Sequence, residues 1–484
     1  MLDPMDWLQK PPLVRLSRRR SRCVRRAEGR QTRWFVRVLA AVSALVAMPC
    51  VARAQTPTRE YLLERIAALE EQLTELKRVV AASDSAFETK PPQAEPPLSA
   101  EDATFLDYLH DLKYGGSLDL YYGFNFNRPV GRVNLLRAYD VTSNNFTLSQ
   151  ASLLTEIVPD LEAGRRFGAR LDLQFGQATE TLQGSLANEP RPWVYRNIFQ
   201  AYGTYVLPVG SGVTVDFGKW ASALGLEGNY SKDQMNYSRS YWFNYLPFYH
   251  MGVRANYRFN DAVAVNYWLH NGTQQTEAFN NYKDQLFGAV ISPTKTVNWT
   301  INFHFGQEHP DVQQIQTPGP PTHATQPGLS IVPIVPAPDG RTQIVDSYAT
   351  WQATPETTFA LEADYVTSRL WNTPGPDRST TPSHVYGGAI YARRQLTAKH
   401  AVAARAEYLR DDGGLFSGVV QSLKETTLTY EHRVADGFLM RGEWRRDFSN
   451  VPFFLTSDAG VLKNDQQTAT FGVIWWWGNK RGAW

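Results

Sequence analysis

Val297 to Gly306 reads VNWTINFHFG. In an extended chain successive side chains point to opposite faces. Val297, Trp299, Ile301, Phe303 and Phe305 therefore share one face, and Asn298, Thr300, Asn302, His304 and Gly306 share the other. The same rhythm runs through RFGARLDLQFG, where Phe167, Ala169, Leu171, Leu173 and Phe175 alternate with Gly168, Arg170, Asp172, Gln174 and Gly176. The second face carries full charges. In a soluble sandwich that face would look to bulk water, and the strands would usually be shorter. Strands of about ten residues with one apolar and one polar face fit a transmembrane barrel instead.

Working outward, the pattern recurs about 16 times, near residues 114–126, 146–158, 167–176, 195–206, 212–220, 250–259, 262–270, 285–292, 296–306, 342–353, 358–367, 384–396, 400–409, 423–434, 437–447 and 467–477. The links between these segments tend to alternate in length. Long ones include residues 127–145, Ala221 to Tyr249 and the Pro-rich Gln307 to Arg341. Short ones include PDLEAGRR, LPVGSG, Asn260-Asp261, PTKT, TPET, TAK and ADG. Long external loops alternating with short periplasmic turns are the signature of an outer-membrane barrel. A propeller would repeat one motif at a fixed period, and none is visible. The even count puts both barrel ends in the periplasm.

No segment approaches the roughly 18 apolar residues of a membrane helix. Val38 to Met48 is apolar but short, follows an Arg-rich stretch and precedes Ala52-Arg53-Ala54. That order reads as a secretory signal peptide, residues 1–54, cut after Ala54. The segment holds 12 basic and 3 acidic residues, so the mature chain has an acidic excess of seven. Both cysteines, Cys23 and Cys50, leave with it, and neither disulfides nor thiolate metal sites are expected in the mature chain.

Residues 55–83 read as a periplasmic coiled coil, with Leu62, Ile66, Leu69, Leu73, Leu76 and Val80 at heptad spacing. A Pro-rich linker and short helix fill 84–112, the barrel 113–477, and a tail 478–484. Residues 113–484 hold 32 basic and 32 acidic residues, so charge balance gives no hint of ion preference and none of nucleic-acid binding. The fold expected is thus an all-β transmembrane barrel of about 16 antiparallel strands, preceded by a short coiled-coil helix.

The chain ends on TATFGVIWWWGNKRGAW, from Thr468 to Trp484. In its strand Ala469, Phe471, Val473, Trp475 and Trp477 would face lipid, with Trp475 and Trp477 at the membrane edge, where amphipathic rings form a girdle. Thr470, Gly472, Trp475 and Trp477 have the spacing of the C-terminal signal read by the barrel-assembly machinery, although GNKRGAW follows where such chains usually stop.

LKYGGSLDLYYGFNFNRP at the start of the barrel resembles the opening of the putative β-barrel porin family, OmpL-like group. The likeness continues through Gln200-Ala201-Tyr202, FGKWASALGLEGNYSKDQMNYSRSYWFNYLPFYHMGV (Phe217 to Val253), Asn271-Gly272 and Arg405 to Asp411. The resemblance implies a porin-type channel in the bacterial outer membrane, passing small polar solutes. By analogy with such barrels a homotrimer is expected.

The residues open to solutes would be the inward charges Arg170, Asp172, Arg405, Glu407, Arg441, Glu443 and Arg445. Charge rings of this kind set selectivity through the local field, or they pair with one another across the wall. In many porins the third external loop folds inward. Here that loop would bring Glu227, Tyr230, Tyr237, Arg239, Trp242 and Tyr245 to a constriction, or else pack against a neighbouring subunit. The nine histidines include no H-E-x-x-H and no i, i+4 pair suited to a metal. G-x-S-x-G and phosphate-binding glycine loops are also missing. No cofactor, metal or catalytic set is expected. The alternatives are a loop-plugged structural or adhesive barrel and a barrel-embedded hydrolase.

Overall fold

The computed structural model describes residues 59–86, 111–182, 189, 191–314, 334–371 and 380–484. The expected signal peptide and most of the linker lie outside the described residues. Helix α1 (Arg59–Ala86) belongs to a unit of its own. It contains no Gly or Pro and is rich in Ala, Leu and Glu, all favourable in a helix interior. Leu69 and Leu73 of the expected seam are more than half exposed on it.

The second unit is a closed barrel of sixteen strands among the described residues, each antiparallel to its neighbours. Its first five are β1 (Lys113–Asn125), β2 (Asn145–Ile157), β3 (Phe167–Phe175), β4 (Ile198–Leu207) and β5 (Val213–Ala221). Then come β6 (Tyr249–Arg258), β7 (Val263–His270), β8 (Asp284–Thr294) and β9 (Val297–Gln307). A small loop hairpin, β10 (Val312–Gln314) and β11 (Ile334–Pro336), precedes β12 (Arg341–Thr354), β13 (Thr357–Trp371), β14 (Thr380–Gln395) and β15 (His400–Asp411). The barrel ends with β16 (Gln421–Ala435), β17 (Phe438–Ser449), the loop hairpin β18 (Phe454–Leu455) and β19 (Leu462–Lys463), and β20 (Asp465–Gly478). All sixteen segments expected from the alternation are present. The two hairpins were not foreseen, being two or three residues per strand and too short for a period to show.

Closure is made by β20 on β1, in a register that runs from Gly115↔Gly478 to Asn125↔Thr468. Gly116 sits opposite Trp477, and a Cβ on it would run into the indole. Alternation sorts the two faces. Phe167, Leu171, Phe303, Phe471, Trp475 and Trp477 are exposed on the outside, while Asp172, Gln174, Asn302, His304 and Thr470 are buried within. An apolar outer band over a polar interior is the pattern a lipid-embedded barrel requires. No described helix is long and apolar enough to cross a membrane; the strands do so.

Candidate functional site: the barrel interior and its loop

The largest buried cluster lies inside the barrel and is built around the segment between β5 and β6. Trp220, Leu224, Tyr241, Trp242 and Leu246 pack there with wall residues such as Trp268, Leu286, Ile344, Val385 and Leu409. The segment is therefore in the interior, and its backbone needs hydrogen-bond partners where water is scarce. Wall carboxylates supply the acceptors. Asp346 Oδ1 accepts from the Gly225 N–H at 3.0 Å, and Glu362 Oε1 from that of Leu226 at 2.9 Å. Glu443 takes the Tyr237 and Ser238 N–H groups at 2.6 and 2.9 Å, and Glu407 those of Tyr241 and Trp242 at 3.0 and 3.1 Å.

The last pair starts a helical turn, Tyr241–Tyr245, whose N-cap Ser240 accepts from the Phe243 N–H at 2.9 Å. A helix start leaves N–H groups without intrahelical partners, and a carboxylate there meets them with both charge and geometry.

Wall arginines meet the carbonyls. Arg405 donates to Ser238 O at 2.8 Å, Arg441 to Ser231 O and Gln234 O at 2.7 and 2.5 Å, and Arg445 to Arg239 O at 2.5 Å. Each also has a carboxylate: Glu227 and Glu425 for Arg405, Glu431 for Arg441, Asp447 for Arg445. Arg405, Arg441 and Arg445 are each only 1 % exposed. A charge buried to that degree costs several kcal/mol unless paired and hydrogen-bonded; all three are paired, and only Arg445 Nη2 makes an ion pair, 2.8 Å from Asp447 Oδ1, without a hydrogen bond.

The loop's own side chains complete the clasp. The Tyr230 hydroxyl donates to Asp172 Oδ2 at 2.9 Å and the Tyr237 hydroxyl to Asp119 Oδ1 at 2.7 Å. Burial holds both phenols well above their usual pKa, so they remain donors at neutral pH. Arg239 donates to the carbonyls of Gly228, Tyr237 and Asn229 and lies over the rings of Tyr139 and Phe243. Glu227 accepts from the Ser240 N–H at 2.6 Å. Trp242 is fully buried, its indole N–H without a partner among the described residues, and Tyr245 packs 5.4 Å from Phe416. Gly472 has a second use: a Cβ there would strike the Tyr237 ring.

Arg170 lies half-buried on β3, donating to Asp172 at 2.8 Å. The other six inward charges named from the sequence, Asp172, Arg405, Glu407, Arg441, Glu443 and Arg445, are buried beneath the loop or its side chains. Sequence reasoning missed Asp119, Asp346, Glu362 and Asp447, which also hold the loop. Each stands at an inward position of an alternating strand, and that was the available signal. It also missed the tail. Trp484 lies against Tyr230, ring centroids 5.5 Å apart, and 4.5 Å beneath Lys232 Nζ, while its backbone N–H donates to Asp233 Oδ2 at 3.1 Å.

A closed lipid-faced barrel, crossed internally by its third long loop, defines the class of outer-membrane porin-type channels. The family comparison narrows this: residues 111–475 match the family described as putative beta-barrel porin-2, OmpL-like, and the chain belongs to it. No curated protein matches. Among solved structures the barrel is similar to the outer membrane channel DcaP of Acinetobacter baumannii (8 % identity, TM-score 0.50, covering 76 % of this chain and 97 % of that one). It is also similar to an anion-selective porin from Comamonas acidovorans (9 %, 0.46, 76 % and 99 %) and to OmpT of Vibrio cholerae (10 %, 0.45, 76 % and 97 %).

Proposed function

We propose that this outer-membrane channel passes small hydrophilic solutes passively, along a path narrowed by residues 222–248. The observation that carries this is the spread of the loop's anchors. Its contacts reach β1, β3, β12, β13, β15 and β17, on widely separated parts of the wall. A segment fixed that widely is a permanent constriction rather than a lid. The inward arginines and carboxylates act on solutes mainly through the loop they hold. No reaction is assigned to the barrel.

Deleting Asn229 to Tyr241 tests this in planar bilayers. Single-channel conductance is expected to rise severalfold while heat-modifiable gel migration persists. An unchanged conductance would remove the loop from the path. Silence of both proteins would instead favour a structural barrel closed by its loop.

We further propose residues 1–54 as a signal peptide and α1 as a periplasmic coil. The barrel would form a homotrimer delivered by the barrel-assembly machinery through Thr470, Gly472, Trp475 and Trp477.

A further inference from the structure

The barrel ladder gathers three histidines that the sequence scatters. His250 ends the inner face of β6 near the long loops, His270 that of β7, and His304 stands on β9. The His250 and His270 ring centroids are 4.3 Å apart, and those of His270 and His304 are 5.3 Å apart with planes at 22°. The register adds a carboxylate, because His270 is directly opposite Asp284 on β8. On its other side Asp284 leans over Gly306, where any Cβ would collide with the carboxylate. His270, Asp284 and His304 are each at most 1 % exposed.

Their hydrogen bonds leave buried ligand atoms without partners. His270 Nδ1 lies 3.2 Å from Gly272 O, which can only accept, so the proton is on Nδ1 and the Nε2 lone pair is open. Nε2 has no hydrogen-bond partner among the described residues. An outer backbone carbonyl that fixes the tautomer is the usual support of a metal-ligating imidazole. Asp284 is held through Oδ1, which accepts from the Gln307 N–H at 3.0 Å. His304 Nε2 lies 3.2 Å from Asp284 Oδ2, yet the two are not aligned as a hydrogen bond. One ligand atom from each of the three residues falls within 4.8 Å of the others. Tetrahedral bonds of about 2.0–2.2 Å set ligand atoms roughly 3.4 Å apart, so the 3.2 Å pair already fits and the third atom would close in from within 4.8 Å.

We propose that His270, His304 and Asp284 form a binding site for one divalent transition-metal ion. Two imidazoles and one carboxylate suit Zn²⁺ or Fe²⁺ rather than the all-oxygen shells of Ca²⁺ and Mg²⁺. A fourth position is open to water or to Glu308. That carboxyl lies against Asp284 and is itself held by the Thr273 N–H and Gln275 Nε2, both at 2.9 Å. The competing arrangement is a proton shared between Glu308 and Asp284, with the histidines merely stacked. A bound ion would tie β7, β8 and β9 together where they enter the long loops.

The full-length protein in detergent, stripped with chelator and titrated with Co²⁺, distinguishes the two. The expected result is about one equivalent bound with a visible d–d band. The band should be lost in His270→Asn/His304→Asn and kept in His400→Asn/His432→Asn, which alters a second stacked histidine pair on β15 and β16. Asp284→Asn, which keeps the side-chain shape, should weaken binding about tenfold or more. Should the double variant fail to form a heat-modifiable barrel, Asp284→Asn and a Zn²⁺-dependent rise in the wild-type melting temperature decide. Binding that is the same in wild type and Asp284→Asn, or absent from wild type, would overturn the proposal.

Discussion

Leu171 and Arg170 are neighbours on β3 with opposite fates. Leu171 is 41 % exposed on the outer face, whereas Arg170 turns inward to Asp172 and Glu156. Leu171→Arg is expected to cost about 2–4 kcal/mol if near the bilayer midplane, measured by urea unfolding in lipid vesicles. Alternation alone would make Arg170→Leu its harmless control. The structure forbids that, since the change strips a partner from fully buried Asp172. Asn256, inward on β6 and half-buried, is the better site, and Asn256→Arg is expected to fold with a loss under about 1 kcal/mol. Equal damage from both would contradict the two-faced wall. Gly472 allows a second residue-scale test. Gly472→Leu would overpack Tyr237 and cost about 1–3 kcal/mol, with noisier channel currents in the barrels that insert. Unchanged stability and currents would contradict the contact with Tyr237.

At the scale of elements, the strands were legible and their partners were not. A period of two is written locally, ten residues at a time, and all sixteen barrel strands could be read from it. The bond between Glu407 and the Tyr241 N–H spans 166 positions, and that between Glu443 and the Tyr237 N–H spans 206. No local pattern encodes such distances, so the inward charges were visible as charges but not as holders of a loop backbone. The histidine cluster escaped notice for the same reason. Its members sit on three strands, and i, i+4 spacing, the helical signature, is the wrong test for a ladder. The tail supplies a prediction at this scale. Trp484→Ala removes the ring that meets Tyr230 edge-on beneath Lys232, beside a depression of about 550 Å³ lined in part by Arg433, Lys480 and Arg481. Conductance is expected to rise, but by less than on deleting Asn229 to Tyr241. No change would place the tail outside the solute path.

For the whole molecule, assembly is the open quantity. Helix α1 presents exposed leucines, and three heptads alone are marginal. Ile66, Leu73 and Val80 at one core position with Leu62, Leu69 and Leu76 at the other lean toward two strands in isolation. Tethering to a barrel raises the effective concentration enough to override so weak a bias. Deleting Arg59 to Ser83 is therefore expected to weaken a trimer without preventing barrel insertion. Native mass spectrometry in detergent checks it, and a stable monomer or dimer of the intact protein would refute the trimer.

The seam between β1 and β20 joins residues far apart along the chain, as the Tyr114–Asn479 bond 365 positions apart shows. Bringing such distant ends together costs about 5 kcal/mol of chain entropy, and no closing bond forms until both strands exist. Until then the sheet has two raw edges, each a row of unpaired N–H and C=O groups. Such edges in hydrocarbon are untenable, and in water they invite pairing with other chains. The interval before closure is therefore when this protein is most exposed to aggregation, and when a helper that shields its two edges would matter most.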